Sequence, residues 1–332
     1  MSSSPGTVLV ITSAEDVTAN LVIEVLNDRQ VNVVRVDPVD IGAELTFSAR
    51  IGDIGKDWAG RLRTPSRDIA LEEVGGVYYR RPTPYPAGFA HLPAQQGAFA
   101  VAEAQHGFSG ILNNLQNAVY INRPLNIRRA NFKPAQLQVA TRIGLTVPPT
   151  LITNDLEQVR NFAATNGPIV YKSFRGAPPT PDGRSSAIWT QRVNPQDLDE
   201  SVSITAHLFQ REVRKTADAR VTVIGRNVFA SRITTPDGAL DWRSGDWEQL
   251  IHDPIDVPEP IKEALYNYLD HFGLVFGAFD FALETICEQN SGSWTFIECN
   301  PNGQWAWLPD ANAMAHAFAD VLLKGRWPWT RP

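Results

Sequence analysis

Two stretches near the end of the chain, GAFDFAL (Gly277–Leu283) and TFIECNPNGQW (Thr295–Trp305), carry the pattern that decides the fold. In the first, Asp280 alternates with apolar residues, as in a half-buried strand. In the second, Glu298 and Asn300 stand two positions apart, so a strand would point them to the same side. The intervening EQNSGS is typical of a turn. The sequence therefore predicts a hairpin that gathers one Asp, one Glu and one Asn near a common point.

This donor set favours one kind of metal. Carboxylate and amide oxygens without histidine or thiolate suit Mg²⁺, which usually binds together with substrate phosphates. Asp280 or Glu298 alone could be a salt-bridged strand residue, but their pairing with Asn300 favours a metal site. The same alternation predicts that Ile297 and Cys299 point to the opposite side of the strand. Nucleotide-dependent phosphoryl chemistry is the leading hypothesis at this point.

Composition bounds the class of protein. The chain has 332 residues, 43% of them hydrophobic, which is enough for a core divided among two or three domains. A net charge of −6 argues against nonspecific nucleic-acid binding. Two cysteines are too few for a disulfide framework, which indicates a reducing cytoplasm. We find neither a signal-peptide pattern nor an apolar run long enough for a membrane span, so we expect no membrane partner.

The order of predicted elements indicates a mixed α/β (α+β) fold. TVLVIT (residues 7–12), a helical pattern and VNVVRVD (residues 31–37) form a β-α-β start typical of a parallel sheet. This start lacks a G-x-G-x-x-G turn, so it predicts no dinucleotide site. Helices and strands then alternate to the C-terminal helix ANAMAHAFADVLL (residues 311–323). The Pro-rich RGAPPTPDGRSS (residues 175–186) is predicted to be a surface loop.

Two lysines stand out by their places in the predicted elements. Lys133 opens a helix, and Lys172 lies in the apolar strand PIVYKSF. Lys172 alone could be a snorkelling strand-edge lysine. The chain contains no G-x-x-x-x-G-K-[ST] motif, so a classical P-loop is absent.

One ordered set of features consists of Lys133, Lys172, LFQREV, the FDF strand and IECNPNG. In this order, the set resembles the ATP-grasp ligases over roughly residues 122–325. A narrower resemblance depends on the segments VYYRRPTPYP, YINRP, GLTVPPTLITN, DWR and ECNPNGQWAW. They resemble the ATP-grasp maturases of ribosomal peptides, which include the microviridin-type graspetide ligases and their actinobacterial relatives. The resemblance implies an ATP-grasp fold with a pre-ATP-grasp domain at residues 1–122. A central subdomain with the lid loop would span residues 123–206, and a C-terminal subdomain with the metal site would span residues 207–332.

The resemblance also implies site residues, with ATP and Mg²⁺ as cofactors. Mg²⁺ would be held by Asp280, Glu298 and Asn300. The nucleotide would be bound at Lys133 and Lys172 (phosphates), at the hinge of Gln210, Arg211 and Val213 (adenine), and at Asp218 (ribose). Arg220 and Arg232 are the catalytic candidates, and a surface role for Arg232 is an equal alternative. Arg80, Arg81 and Arg243 are the substrate candidates. A structural salt bridge is the alternative for the Arg80–Arg81 pair, and a packed turn is the alternative for DWRSGDW.

The activity implied is phosphorylation of Asp or Glu side chains of a precursor peptide, followed by ester links to Thr or Ser or amide links to Lys. The partners implied are a leader and core peptide, and a homodimer. A ligase of small amino-acid or dipeptide substrates is the alternative. A catalytically silent peptide-binding protein on the same fold is a third hypothesis, against which the intact charged set argues.

Overall fold

The computed structural model describes residues 6–52, 55–176, 188–236, 238–284 and 293–324. The strands are β1 Thr7–Ile11, β2 Val33–Val36, β3 Thr46–Arg50, β4 Ala59–Arg63, β5 Asp68–Ala70, β6 Val74–Tyr79, β7 Val119–Ile121, β8 Thr150–Thr153, β9 Ile169–Lys172, β10 Gln191–Val193, β11 His207–Arg211, β12 Lys215–Ile224, β13 Asn227–Thr234, β14 Ile251–Pro254, β15 Phe276–Glu284 and β16 Trp294–Asn300. The helices are α1 Val17–Asp28, α2 Ala94–Asn113, α3 Pro124–Ala130, α4 Lys133–Arg142, α5 Leu156–Asn166, α6 Glu259–Phe272 and α7 Ala311–Leu323.

The N-terminal region is built on a parallel sheet with the strand order β2-β1-β6-β7. Apolar runs such as TVLVI are buried along their whole length, as expected for a strand covered on both faces. A small antiparallel sheet, β3-β4-β5, lies beside it. The predicted β-α-β start is confirmed.

The rest of the described chain forms two antiparallel sheets. The first has the order β10-β9-β11-β8, and the second has the order β14-β13-β12-β15-β16. The predicted boundary at residue 206 stands before β11, but β11 pairs with β8 and β9 and so lies in the central sheet. Most of the predicted lid and of the EQNSGS turn lies outside the described residues, and so does Cys287.

Alternation along β12 and β15 gives the five-stranded sheet one apolar face and one polar face. Val221, Phe279 and Phe281 pack into a core with α4 and α6. Asp218, Arg220 and Asp280 point the other way, and all three are buried. Charged side chains are rarely buried unless they have partners, so three buried charges on one face of the sheet indicate a candidate functional site.

The N-terminal sheet is joined to the five-stranded sheet by the C-terminal helix and by a buried amide. Helix α7 packs against α1, β6 and β7, and its residues share a core cluster with β1 and with the start of β15. Asn122, 2% exposed, donates to Phe276 O (2.8 Å) and Pro301 O (2.7 Å) and accepts from Val275 N–H (2.7 Å). The hairpin that carries the metal candidates is therefore anchored by the N-terminal region at its open end, where β15 begins and β16 finishes.

Candidate active site

The centre of the site is a row of charged residues on three neighbouring strands. Arg220 on β12 stands opposite Asp280 on β15, which stands opposite Glu298 on β16. Arg220 Nε lies 3.3 Å from Asp280 Oδ1. Asn300 follows two positions after Glu298 and donates from Nδ2 to Asp280 Oδ2 at 3.3 Å and to Glu298 Oε1 at 3.4 Å. The predicted convergence of the two carboxylates and the amide is present in the structure.

A β-bulge in β16 determines which side chains of this strand face the metal candidates and which face the core. Asp280 pairs with Glu298, whereas Phe281 pairs with Phe296, so Ile297 is the extra residue. The prediction that Ile297 points away together with Cys299 is wrong, because Ile297 lines the pocket beside Glu298. Phe296 and Cys299 pack in the core. The bulge lets the adjacent apolar pair Phe296–Ile297 face opposite ways while Glu298 keeps its place.

Cations surround the two carboxylates. Glu298 has Lys133 Nζ at 3.1 Å from Oε2 and Arg243 Nη1 at 3.2 Å from Oε1. Burial opposes ionisation of Glu298, but the charges of Lys133, Arg243 and Lys172 outweigh it and lower its pKa. The pKa of Asp280 is raised, because burial outweighs the attraction of Arg220. The neighbouring cations thus keep Glu298 ionised, whereas burial makes Asp280 easier to protonate.

The oxygen donors fit a hard divalent cation. Asp280 and Glu298 supply carboxylate oxygens on one face, and a half-turn of the Asn300 amide would present its Oδ1 to the same point. Within the described ranges no group of three or more His, Cys, Asp or Glu side chains is placed to hold a metal ion, so a cation here would depend on the Asn300 amide as its third ligand. A cation held by two carboxylates and one amide would keep positions open for water and phosphate oxygens, as Mg²⁺ does.

A cleft of about 580 Å³, open to solvent, lies between the central sheet and the five-stranded sheet. Gln210, Arg211 and Val213 line it where the chain passes from one sheet to the other. Arg211 N–H donates to Pro149 O at 2.9 Å, and Pro149, which lacks an N–H, donates no bond back to the Arg211 carbonyl. No group among the described residues accepts from Val213 N–H. One acceptor and one donor are thus available at the hinge, the pair that an adenine edge requires.

Lys172, also in the cleft, is the cation whose charge is not matched. Its side chain is half-buried on β9, and no carboxylate of the described chain lies within ion-pair distance of it. Burial lowers the pKa of Lys172 to about 8 against the attraction of Glu298 and Asp241, and the like charges of Lys133 and Arg243 add to the effect of burial. A lysine held in this way gains much from an anionic ligand that restores its charge.

Asp218 and Lys215 form an ion pair within the cleft. Lys215 Nζ lies 2.6 Å from Asp218 Oδ2, and both line the cleft. Burial raises the pKa of Asp218 despite this partner. Sequence reasoning identified Asp218 but missed Lys215, because strict alternation places positions 215 and 218 on opposite faces. A register shift between Lys215 and Ala217 brings them together.

Two tryptophans enclose Arg220. Its Cζ lies 5.7 Å from the ring centroid of Trp242 and 5.7 Å from that of Trp307. Such cation–π contacts hold a guanidinium in place without taking up its N–H groups. Arg220 is 5% exposed, and its buried Nε and Nη1 form no hydrogen bonds within the described chain. Donor capacity on a fixed cation is what a transferred phosphate would meet.

Arg243 is bound within the DWR turn. Its Nε and Nη2 each donate to an Asp241 carboxylate oxygen at 2.9 Å, and its Nη1 donates to Glu298. Asp241 also accepts from the Thr190 N–H at 3.3 Å. The Arg243 hydrogen bonds lower the pKa of Asp241 against the effect of burial. Asp241 was not among the predicted site residues. Its position directly before Trp242 and Arg243 was the signal that could have identified it.

Arg232 is not brought into the site. It pairs with Ala219, whereas Arg220 pairs with Ser231, so Arg232 projects from the opposite face of the sheet and is exposed. The predicted catalytic role is therefore corrected in favour of the surface alternative. The physical reason is parity: residues 220 and 232 are both even, but the antiparallel register pairs even with odd positions.

The arginine pair after β6 divides into two roles. Arg80 is 1% exposed, donates from Nη1 to Asn302 O at 2.6 Å, and lies 3.8 Å from Asp16. This arrangement favours the structural alternative over substrate contact for Arg80. Arg81 is exposed, and its guanidinium has no partner among the described residues. Substrate contact stays a prediction for Arg81.

Comparison with known proteins agrees with this geometry. A family profile described as the MvdD pre-ATP grasp domain matches residues 7–128. No match was found among curated protein sequences. A RiPP-associated ATP-grasp ligase of Chryseobacterium gregarium, solved with ADP and a leader and core peptide, is 26% identical, with a TM-score of 0.85 and 96% of each chain covered. The macrocyclase MdnC of Microcystis aeruginosa MRC, bound to precursor peptide MdnA, is 25% identical, with a TM-score of 0.81 over 95% of this chain and 99% of MdnC.

A more distant likeness shares only the fold. The D-alanyl-alanine synthetase A of Vibrio cholerae O1 is 12% identical, with a TM-score of 0.57 and 97% of each chain covered. The fold and the site together define an ATP-grasp ligase. Within that class the structure resembles the ligases named above that were solved with precursor peptides, in agreement with the resemblance predicted from the sequence. No helix of the described chain is long and apolar enough to cross a membrane.

The low pKa of Lys172 predicts a pH dependence of nucleotide binding. Below about pH 8 the ammonium is charged and attracts phosphates, whereas above it the neutral amine does not. We expect the affinity for AMP-PNP, measured by calorimetry at saturating Mg²⁺, to fall as pH rises from 7 to 9.5. Lys172→Arg, whose guanidinium stays charged, should lose this dependence. The same pH profile in both proteins would contradict the role of Lys172.

Proposed function

We propose that this protein uses ATP and Mg²⁺ to phosphorylate Asp or Glu side-chain carboxylates of a ribosomally made precursor peptide. It then joins them to Thr or Ser hydroxyls as macrocyclic ω-esters, or to Lys amines as ω-amides. The fold and the charged cleft support the ligase chemistry. The peptide substrate is supported by the ligases named above, which were solved with precursor peptides. A homodimer and a cytoplasmic location stay predictions.

One observation carries the proposal: among the residues that the structure describes, Lys172 has no counter-ion, in a cleft whose other buried charges are paired. Lys133 pairs with Glu298, Lys215 with Asp218, and Arg220 with Asp280. A half-buried lysine without a partner costs free energy unless a ligand supplies the negative charge. Nucleotide phosphates supply such charge. They would contact Lys172 and also Lys133, which already pairs with Glu298.

The cleft offers distinct places for each part of a nucleotide. The hinge carbonyl of Arg211 and the N–H of Val213 suit an adenine edge, and the buried Gln210 side chain holds the hinge by donating to Thr150 Oγ1 at 2.8 Å. Asp218 lies on β12, the strand that follows the hinge, and its carboxylate suits ribose hydroxyls. Mg²⁺ at Asp280, Glu298 and Asn300 would neutralise phosphate charge. The base and the reacting phosphate then lie at opposite ends of the cleft.

The chemistry divides into two balanced steps. A substrate carboxylate oxygen attacks the γ-phosphorus, and ADP leaves with the electrons of the broken bond. A hydroxyl oxygen then attacks the acyl carbon, loses its proton, and releases phosphate. Arg220, fixed between two indoles, is placed to hold the transferred phosphate through both steps. Orientation and charge stabilisation account for most of what the protein must supply.

The substrate carboxylate must approach from the end of the cleft that lies away from the hinge. Around Arg220 this end is walled by the aromatic cluster of Trp242, Trp247 and Trp307, whose ring centroids lie 5.2–5.5 Å apart. Trp247 is 47% exposed. An exposed indole that continues a buried cluster offers apolar area for peptide side chains beside the reacting carboxylate.

The direct test is mass spectrometry of the candidate precursor peptide after incubation with the protein, ATP and Mg²⁺. Each link should remove the mass of one water, and ester links should be reversed by mild base. Links that survive base would indicate amides. An unchanged peptide, together with ATP turnover on small amino acids, would overturn the peptide substrate and favour the small-molecule ligase.

Removal of the exposed indole should weaken peptide handling alone. We expect Trp247→Ala to lower kcat/KM for the peptide by roughly threefold to tenfold, the range for loss of one aromatic contact. Nucleotide affinity should not change. Phe99→Ala removes an aromatic side chain that is 67% exposed on α2 and serves as the matched control. Equal effects of the two substitutions would contradict a substrate contact at Trp247.

A further inference from the structure

Gln136 on α4 makes an unusual contact with the strand that carries the metal candidates. Its Nε2 donates to Cys299 O at 2.8 Å, and its Oε1 accepts from Cys299 N–H at 3.0 Å. Nε2 also donates to Ala130 O at 2.6 Å. Gln136 is 4% exposed, so these bonds are sheltered from water. Cys299 is the residue between Glu298 and Asn300.

This contact replaces a missing strand. β16 is the last strand in its sheet, so its outer edge has no neighbouring strand to pair with. Phe296 N–H on that edge donates to Thr146 O at 2.8 Å, and the Gln136 amide then pairs with Cys299 as a further ladder residue would. The pairing fixes the two peptide groups that join Glu298 to Asn300. The bulge at Ile297, just before them, makes such support necessary, because a bulge interrupts the regular ladder.

Helix α4 thus acts twice on the same short segment. Lys133, at its first turn, lies 3.1 Å from Glu298 Oε2. Gln136 follows three positions later, on the same side of the helix. One helix face therefore supplies both a charge to the Glu298 carboxylate and a backbone clamp one residue further on. Neither effect requires Gln136 to touch a ligand.

We propose that Gln136 is a positioning residue for the metal site, holding Glu298 and Asn300 at the spacing that a divalent cation requires. This inference rests on the proposed function, since it presumes a cation bound at Asp280, Glu298 and Asn300. Groups that orient metal ligands from behind typically account for about 10–100-fold in metal affinity. Loss of the clamp should therefore appear in metal affinity before it appears in the fold.

The test is a titration of Mn²⁺, a spectroscopic substitute for Mg²⁺, into the full-length protein saturated with AMP-PNP, followed by electron paramagnetic resonance. Gln136→Met keeps the length and volume of the side chain but removes its hydrogen bonds. We expect Mn²⁺ affinity to fall about 10–100-fold, whereas metal-free AMP-PNP affinity should stay within about twofold. Gln136→Asn, which keeps an amide but withdraws it from Cys299, should act in the same direction and replaces Gln136→Met if that variant does not fold.

Tyr120→Phe provides the matched control for lost buried hydrogen bonds. The Tyr120 hydroxyl is buried in the N-terminal region, donates to Leu112 O at 2.6 Å and accepts from Leu115 N–H at 3.1 Å. This substitution should lower Tm without changing Mn²⁺ affinity. Wild-type Mn²⁺ affinity in the Gln136 variants would overturn the positioning role. Failure of the wild-type protein to bind Mn²⁺ with AMP-PNP would instead overturn the proposed function beneath it.

Discussion

The structure depends on one row of pairings across three strands, in which Arg220 faces Asp280 and Asp280 faces Glu298. Burying three charges side by side is costly, and it is tolerated only when each has a partner. The register of β12 and β15 supplies the Arg220–Asp280 pair within the sheet itself, whereas Glu298, which carries the same charge as Asp280, takes its partners from outside the sheet. Lys133 from α4 and Arg243 from the DWR turn then converge on the exposed end of the row. The site is thus the place where the polar face of one sheet meets a helix and a turn.

The N-terminal region matters to this row although it contributes none of its charges. Asn122 fixes the start of β15 and the residue after Asn300, while Arg80 and Asn302 bond to each other across the same junction. Gln136 holds the segment between these anchors from its outer edge. The metal-bearing hairpin is therefore restrained from both neighbouring regions. This restraint suits an enzyme that must hold a cation rigidly while a nucleotide and a peptide enter and leave.

Much of this arrangement could be predicted because it follows simple periodicities. The alternation in GAFDFAL and the two-residue spacing of Glu298 and Asn300 identified the metal candidates, and α7 covers the predicted residues. The features that were missed break periodicity or depend on contacts distant in sequence. Bulges moved Ile297 toward the cleft and Lys215 toward Asp218. The register of β12 and β13, which removes Arg232 from the site, cannot be read from either strand alone. Gln136 gave only the weak signal of standing three positions after Lys133.

The central claim is that a substrate carboxylate attacks the terminal phosphate of ATP within this cleft. It is tested most directly by labelling the Asp or Glu carboxylates of the precursor with a heavy oxygen isotope and analysing the phosphate released during link formation. We expect one labelled oxygen in phosphate for each link, because the bridging oxygen of the acyl phosphate leaves with the phosphate. Unlabelled phosphate, with links formed and the label retained in the peptide, would contradict it.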